Sequence, residues 1–285
     1  MSIRITNVTI TPVAFVDPPL LNSVGVHEPF ALRAVIEVAT DAGLHGLGET
    51  YADEKHLEAL HAAARAIEGA DVYHTEEIYR RVLAIAPPDT MIASGLIGHS
   101  AAADRVFSPF EVACLDIQGK AAGRPVADLL GGAVRDEVPF SAYLFYKWAA
   151  HPGVDPDDWG EALDPEGIVA QAKRMIDGYG FNAIKLKGGV FPPDQEIAAI
   201  RALRDAFPEH PLRLDPNAAW TPATSLRVFA SSGSFGQHRI GSLMSARSIS
   251  MTSAYSASAS GASNCGSAIQ ASIALMRRSS VRLSA

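Results

Sequence analysis

The sequence predicts an α+β domain, then about three βα units of a parallel sheet, and finally a Ser-rich low-complexity tail. Three observations support this. The chain opens with runs of β-branched residues, and these are followed by apolar residues at helical spacing. Strand and helix patterns then alternate, and the composition changes abruptly near residue 230. Alternating strands and helices are typical of parallel α/β structure. We therefore expect domains at residues 1–135 and 136–229, and a tail at 230–285.

The first domain opens with β-branched and apolar runs that indicate an antiparallel meander, because the turn signal Asp41-Ala42-Gly43 separates two of them. Strands are predicted at residues 4–16, 31–39 and 44–51. Helices are predicted at residues 53–68, 75–85 and 108–122. Ser108 and Pro109 are typical of a helix start. Glycines 43, 46 and 48 have the wrong spacing for a dinucleotide-binding loop.

The second domain shows three successive strand–helix pairs. Strands are predicted at residues 138–146, 182–187 and 212–215. Helices are predicted at residues 165–178 and 194–206, and from residue 222 to about 228. A long acidic loop at 147–163 follows the first of these strands.

The overall composition excludes several classes of protein. The chain has 285 residues and a formal net charge of −7, which argues against a nucleic-acid partner, since such proteins need a basic face. No apolar run approaches the roughly 20 residues that span a bilayer, so no membrane partner is expected. The N-terminus lacks a signal core, and the two cysteines, Cys114 and Cys265, lack metal-ligand spacing. We therefore expect a cytoplasmic protein with reduced thiols.

The tail differs in charge and composition from the rest of the chain. No Asp or Glu follows Asp215, and six arginines give residues 216–285 a charge of +6, so the preceding residues carry −13. Residues 231–285 contain seventeen serines, against seven in the first 230. Such a segment has little apolar area to offset its ordering entropy, which predicts disorder. Our hypothesis is a reading-frame change between about residues 220 and 232, and a native Ser-rich tail is the alternative.

Two lysines on the second predicted strand are candidates for acid–base chemistry. Lys185 and Lys187 face the same side, because side chains alternate along a strand. Mutual repulsion is expected to lower the pKa of at least one, which would make it a usable base near neutral pH. The alternative interpretation is a pair of solvated surface lysines.

The next predicted strand ends in Asp215-Pro216-Asn217. Barrel enzymes place metal ligands and catalytic groups at the carboxyl ends of parallel strands. Carboxylate oxygens suit a hard cation such as Mg²⁺. The alternative interpretation of Asp-Pro-Asn is a plain turn.

Five segments resemble a known family. They are residues 184–190 (IKLKGGV), 214–220 (LDPNAAW), 142–146 (AYLFY), 26–29 (VHEP) and the helix and turn at 113–132. In order and spacing they resemble glucarate dehydratase-like members of the enolase superfamily over about residues 1–228. The resemblance implies a capping domain at 1–135 and a (β/α)8 TIM-type barrel that begins at residue 136. The 26–29 loop resembles the loop that closes over the substrate.

The resemblance also implies roles for individual residues. Lys187 would be the base that removes the proton next to a carboxylate, and Lys185 would pair with that carboxylate. Asp215 would be one Mg²⁺ ligand. The remaining residues, Asn217, Tyr143 and His27, would contact the small-molecule acid sugar. The alternatives are a plain loop histidine for His27 and packing alone for Tyr143.

The implied reaction is that of a lyase, the Mg²⁺-assisted β-elimination of water from glucarate. Enzymes of this superfamily use a lysine or histidine base with Mg²⁺ to stabilise an ene-diolate. Alternatives are another sugar-acid dehydratase, a racemase of the superfamily, or a non-catalytic fragment.

The sequence also departs from the family. Only 68 residues follow Asn217, too few for five further βα units of roughly 25–30 residues each. The family's later metal ligands and Asp–His pair have no match, because the only histidine after Asp215 is His238. We therefore expect an incomplete barrel and an incomplete Mg²⁺ site, with little or no turnover. An incomplete barrel exposes a strand edge, which predicts poor solubility or a homo-oligomer.

Overall fold

The computed structural model describes residues 2–85 and 101–231 of the chain. The first group of elements is β1 (Ile5–Val16), β2 (Leu21–Asn22), β3 (Gly25–Val26), β4 (Phe30–Thr40), β5 (His45–Tyr51), α1 (Glu54–Ile67), α2 (Thr75–Leu83), α3 (Ala101–Ala122) and α4 (Val126–Leu129). The second group is β6 (Ala142–Phe145), α5 (Pro165–Tyr179), β7 (Ile184–Lys187), α6 (Pro193–Ala206), β8 (Leu212–Asp215) and α7 (Pro222–Ser231).

The first layer is an antiparallel sheet in the order β1-β4-β5, as the meander pattern predicts. Its register pairs Val8 with Val38 and Ile10 with Ile36, so apolar residues line one face of both strands. Helices α1, α2 and α3 cover that face. The core that they enclose includes Ile36, Val38, Leu60, Ile67, Ile78, Val82, Phe110 and Ile117.

Two glycines of β5 allow α3 to approach the sheet closely. A Cβ atom on Gly46 would lie 2.0 Å from the Ala113 carbonyl oxygen, and one on Gly48 would lie 2.0 Å from the Pro109 carbonyl oxygen. Only glycine fits where two backbones come this close. The glycines of this strand therefore serve helix–sheet packing, which agrees with their exclusion as a dinucleotide loop.

The predicted start of α3 at Ser108 is wrong, because the helix already includes Ala101 and Pro109 lies inside it. An internal proline removes one backbone hydrogen bond and usually bends or breaks a helix. Here buried residues at helical spacing lie on both sides of the proline, at positions 106, 110, 113, 114 and 117. The free energy gained by burying these side chains outweighs the cost of a proline inside the helix. The predicted end is correct, since Gly123 follows Ala122 with φ +63°.

The second layer is a parallel sheet in the order β6-β7-β8, with α5 following β6, α6 following β7 and α7 following β8. Leu144 and Leu186 pair in register and are fully buried. Asp164 caps α5 by accepting from the Gly167 backbone N–H, and Gly180 ends that helix with φ +70°. The described residues thus contain three βα units, and the number of units in the whole barrel stays a prediction.

The strand predicted at 138–146 is shorter than expected. β6 begins only at Ala142, where its pairing with Ile184 begins, and Val138 and Phe140 are exposed. The tail predicted at 230–285 lies almost wholly outside the described residues, and the domain boundaries remain predictions. Within the described ranges, none of the helices combines the length and apolarity needed to cross a membrane.

The segment between β1 and β4 reaches the carboxyl end of β6. The Leu21 backbone N–H donates to the Tyr146 carbonyl at 2.7 Å, and the Trp148 N–H donates to the Pro19 carbonyl at 3.2 Å. We call residues 17–29 the hairpin loop, because they contain β2 and β3. These backbone bonds place the hairpin loop beside the ends of the parallel strands.

Candidate active site

The parallel register brings four predicted residues onto one face of the sheet. Tyr143 pairs with Lys185, and Lys187 pairs with Asp215. Because strand side chains alternate, these residues face the same side, while Leu144 and Leu186 face the helices. The hydrophobic pattern that fixes the register therefore also assembles the polar cluster.

Asp215 lies between the two lysines. Its Oδ2 is 2.8 Å from the Lys185 Nζ and 3.4 Å from the Lys187 Nζ. The Lys187 ammonium also donates to the Asn217 Oδ1 at 2.5 Å. Asp215 Oδ1 accepts from the Asn217 backbone N–H at 3.1 Å. Lys187 is buried and Lys185 is partly buried, so neither is the solvated surface lysine of the alternative interpretation.

The sequence predicts a lowered pKa for at least one of the two lysines, and the pKa of Lys185 is not lowered. Burial lowers its pKa, but the hydrogen bond and charge interaction with Asp215, together with Tyr143, more than offset this, and the pKa is raised. For Asp215, burial raises the pKa, but bonds from Lys185 and the Asn217 N–H and the charge of Lys187 leave it lowered. The carboxylate between the ammonium groups supplies the counter-charge that the sequence pattern did not reveal.

Replacing Asp215 with asparagine is expected to lower the pKa of Lys185, since burial would then act without a counter-charge. The lowered pKa of Asp215 contributes stability above its ordinary value of 3.8, which is lost as pH falls through the folded value. The raised pKa of Lys185 contributes stability below 10.5, which is lost as pH rises through its folded value. Between these limits we expect the variant to lose about 1 kcal/mol of unfolding free energy.

Lysine side-chain NMR titration and urea unfolding measure both effects. Asp177→Asn is the matched control, because its pair with Lys173 is well exposed on α5. An unchanged Lys185 titration in Asp215→Asn would contradict the ion pair.

The turn after β8 is conformationally strained. Asn217 and Ala218 have φ values of +49° and +59°, which are unusual for residues other than glycine. Asparagine is among the residues that tolerate this region best. In this conformation the Asn217 Oδ1 accepts from the Lys187 ammonium. Strained backbone of this kind clusters at functional sites.

The sequence analysis missed Glu196, which supports the turn after Lys187. Its fully buried carboxylate accepts from the backbone N–H groups of Gly189, Val190 and Phe191 at 2.8–3.0 Å. A Cβ atom on Gly188 would lie 2.6 Å from this carboxylate. The signal in the sequence was an acidic residue in the first turn of a helix that closely follows Gly-Gly.

Tyr143 and His27 lie at the same end of the sheet. The Lys185 Nζ is 4.5 Å from the centre of the Tyr143 ring, within the range of a cation–π contact. The His27 ring packs edge-on against Phe145, with ring centres 5.7 Å apart. His27 also bonds to Asp17, which the sequence analysis missed. The structure therefore brings His27 to the sheet that carries the lysines, while its predicted role remains untested.

The loop at 147–163 is held by another residue that the sequence analysis missed. Lys147 is almost fully buried and donates to Asp157 and to the carbonyls of Trp148 and Gly160, each at 2.9 Å. A buried ammonium with three acceptors is well satisfied. Lys147 therefore organises the loop, because its three hydrogen bonds join the start of the loop to residues 157 and 160.

The described residues do not make a magnesium site by themselves. They contain no group of three His, Cys, Asp or Glu side chains placed to hold a metal ion. Asp215 is the carboxylate beside the lysines, and both of its oxygens already accept hydrogen bonds or ion pairs. Mg²⁺ requires near-octahedral oxygen ligation, so Asp215 alone is insufficient.

Comparison with known proteins relates this chain to a family. Residues 167–237 match the Enolase C-terminal domain-like family. A probable glucarate dehydratase from Streptomyces coelicolor is 51% identical over 243 residues, which are 81% of this chain and 56% of that protein. The chain thus spans about half the length of the curated relatives it matches.

Solved structures give the same relationship. An enolase from Mycobacterium smegmatis complexed with tartrate is 68% identical with a TM-score of 0.75, over 80% of this chain and 54% of that one. An enolase from Thermobispora bispora complexed with magnesium and formate is 62% identical with a TM-score of 0.78, over 81% of this chain and 56% of that one. The chain is therefore a member of the enolase superfamily and a homologue of the Streptomyces probable glucarate dehydratase.

Proposed function

We propose that this chain derives from an acid-sugar dehydratase, a hydro-lyase, whose substrate is glucarate. The observation that carries the proposal is the cluster of Lys185, Lys187 and Asp215 at the carboxyl ends of two adjacent parallel strands. The homologous probable glucarate dehydratase supports the reaction class and the substrate.

The reaction begins with Lys187 in its neutral amine form. Its Nζ takes the proton from the carbon next to the substrate carboxylate, and the C–H electron pair forms the carbon–carbon double bond of an ene-diolate. That electron pair then forms the double bond between the α and β carbons, and the C–O bond to the β-hydroxyl breaks. The hydroxyl takes the proton back from the Lys187 ammonium and leaves as water, and the resulting enol tautomerises to a 2-keto acid.

Other residues bind and orient the acid sugar in this proposal. The Lys185 ammonium pairs with the substrate carboxylate and so favours the charge that develops on it. Tyr143, Asn217 and His27 contact the hydroxyl-bearing chain. Asn217 already contacts Lys187, so it fixes the position of the base relative to the substrate.

Asp215 is proposed as one ligand of Mg²⁺, in a site that this chain leaves incomplete because no Asp or Glu follows Asp215. In the structure Asp215 instead pairs with both lysines and accepts from the Asn217 N–H, so its oxygens are not free for a metal ion. We therefore propose little or no turnover for this chain.

The pairing of Asp215 with both lysines also favours the second candidate, a non-catalytic fragment. We further propose a cytoplasmic location and association between copies.

The direct test incubates the purified chain with D-glucarate and MgCl₂ and measures 2-keto acid formation. We expect none above background, and Mg²⁺-dependent product would contradict this. Calorimetry with millimolar Mg²⁺ tests the second candidate, because a fragment with no metal function should show no binding. A panel of other acid sugars tests the substrate.

The gene tests the origin of the tail. Codons 210–285 should be translated in all three frames. A frame that yields Glu-Asp-Pro and a later His-Ser-Asn-like strand would support a frameshifted glucarate dehydratase. If no frame restores such a pattern, the native Ser-rich tail and the non-enzymatic readings are favoured.

A further inference from the structure

Asp17 contacts two histidines from different parts of the chain. Its Oδ2 lies 3.0 Å from His27 Nδ1, and its backbone carbonyl lies 2.8 Å from His151 Nε2. Its own N–H donates to the Pro29 carbonyl at 3.0 Å, which closes the base of the hairpin loop. Both side chains of the Asp17–His27 pair are about three-quarters buried.

The two contacts determine which nitrogen of each ring carries the proton. A carboxylate and a carbonyl are acceptors only, so the facing ring nitrogen must donate. His27 therefore carries its proton on Nδ1, and His151 carries its proton on Nε2. In the neutral state the two rings are opposite tautomers, fixed by the side chain and the backbone of one residue.

The remaining nitrogen of His27 is an acceptor. Among the residues that the structure describes, no polar atom bonds to its Nε2. The ring packs against Phe145, which pairs in register with Lys187 and shares its face of the sheet. His27 thus lies at the candidate site with one lone pair unused.

We propose that Asp17 is a positioning residue that fixes His27 in the Nδ1–H tautomer, so that neutral His27 accepts a hydrogen bond from a ligand hydroxyl. An Nε2 lone pair attracts an O–H donor and repels a carboxylate oxygen. His27 would therefore select the hydroxyl-bearing part of an acid, while the lysines take its carboxylate. The ligand class rests on the proposed function, but the tautomer does not.

The backbone geometry keeps this arrangement in place. The His27 N–H donates to the Leu20 carbonyl at 2.8 Å, and Leu21 and Trp148 join the hairpin loop to the end of β6. His151 is buried and clamps the Asp17 backbone from the loop after β6. A carboxylate that orients a histidine through Nδ1 is a recurrent way to set the chemistry of Nε2.

The test is nitrogen NMR of the full chain labelled with ¹⁵N-histidine, recorded at about pH 8.5 and about pH 5.5 to separate neutral tautomers from the charged ring. Solid-state spectra serve if the chain aggregates. We expect His27 as Nδ1–H and His151 as Nε2–H in the same sample. His27→Gln and His151→Gln assign the two signals.

Asp17→Ala and the isosteric Asp17→Asn then test the cause. We expect the Nε2–H form of His27 to appear in both, while His151 is unchanged because the Asp17 backbone remains. Asp128→Asn, which removes a partly exposed i,i+4 pair with Arg124, should leave both rings unchanged. A wild-type His27 protonated on Nε2 would overturn the proposal, as would an unchanged His27 tautomer in the folded Asp17 variants.

Failure of the tautomer test leaves the proposed function standing, because glucarate turnover is measured separately. The ligand part has its own readout. Addition of D-glucarate should shift the His27 Nε2 resonance in the direction of an accepted hydrogen bond. In a second sample labelled with ¹⁵N-lysine as well, D-glucarate that shifts the lysine signals but not His27 would overturn hydroxyl recognition by His27.

Discussion

Replacing Lys187 with alanine is expected to lower kcat by a factor on the order of 10³ in a chain whose barrel is complete, since Lys187 is the proposed base. Such a chain joins residues 1–217 of this protein to the remaining residues of the Streptomyces coelicolor relative. The parent chimera should dehydrate D-glucarate with Mg²⁺. The measurement is steady-state formation of 2-keto acid, with kcat and KM determined separately.

Lys173→Ala is the matched control, because Lys173 is an exposed lysine on α5 that pairs with Asp177. It should leave kcat and KM unchanged. Lys185→Ala should raise KM as well as lower kcat, because Lys185 is proposed to bind the carboxylate. An unchanged kcat in Lys187→Ala would contradict the proposal that Lys187 is the base.

Replacing Gly48 with alanine is expected to destabilise the fold by about 3 kcal/mol. The added Cβ would lie 2.0 Å from the Pro109 carbonyl oxygen, so the α3 backbone would have to move. The nearest atoms to the added Cβ all belong to the Pro109 backbone, which cannot rotate away as a side chain can. Urea unfolding monitored by circular dichroism measures the loss.

Gly178→Ala is the control for this substitution. Gly178 lies near the end of α5, and no atom lies within 4 Å of the position of an added Cβ. Alanine has a higher helix propensity than glycine. We therefore expect the free energy of unfolding to rise by about 0.5–1 kcal/mol. Equal stability of Gly48→Ala and the wild type would mean that α3 does not pack on β5 as described.

The strands and most helices were predictable because their signals are local. Periods of two and of 3.6 residues predicted β1, β4, β5 and the helices α1, α2, α5 and α6 to within a few residues. The early start of α3 was not predictable, because Ser108 and Pro109 form a local start signal. Burial of Val106 and Phe110 on either side of Pro109 overrides that signal.

The candidate site was predictable in its residues but not in its electrostatics. Alternation along β7 indicated that Lys185 and Lys187 share one face, and Asp215 was expected at the carboxyl end of the next strand. The sequence could not show that the Asp215 carboxylate lies between the two ammonium groups. Repulsion between neighbours along one strand is visible in a sequence, whereas attraction across strands depends on register.

By itself, the sequence determined the order of strands and helices, the change in composition near residue 230, and the family resemblance around the two lysines. The tertiary structure alone decided the partners of buried polar groups. Glu196 beneath the Lys187 turn, Lys147 within its loop and Asp17 beside His27 all depend on contacts between separate segments or across loops. The physical reason is that a buried charge must find acceptors or donors, and only the folded chain brings them within hydrogen-bond distance.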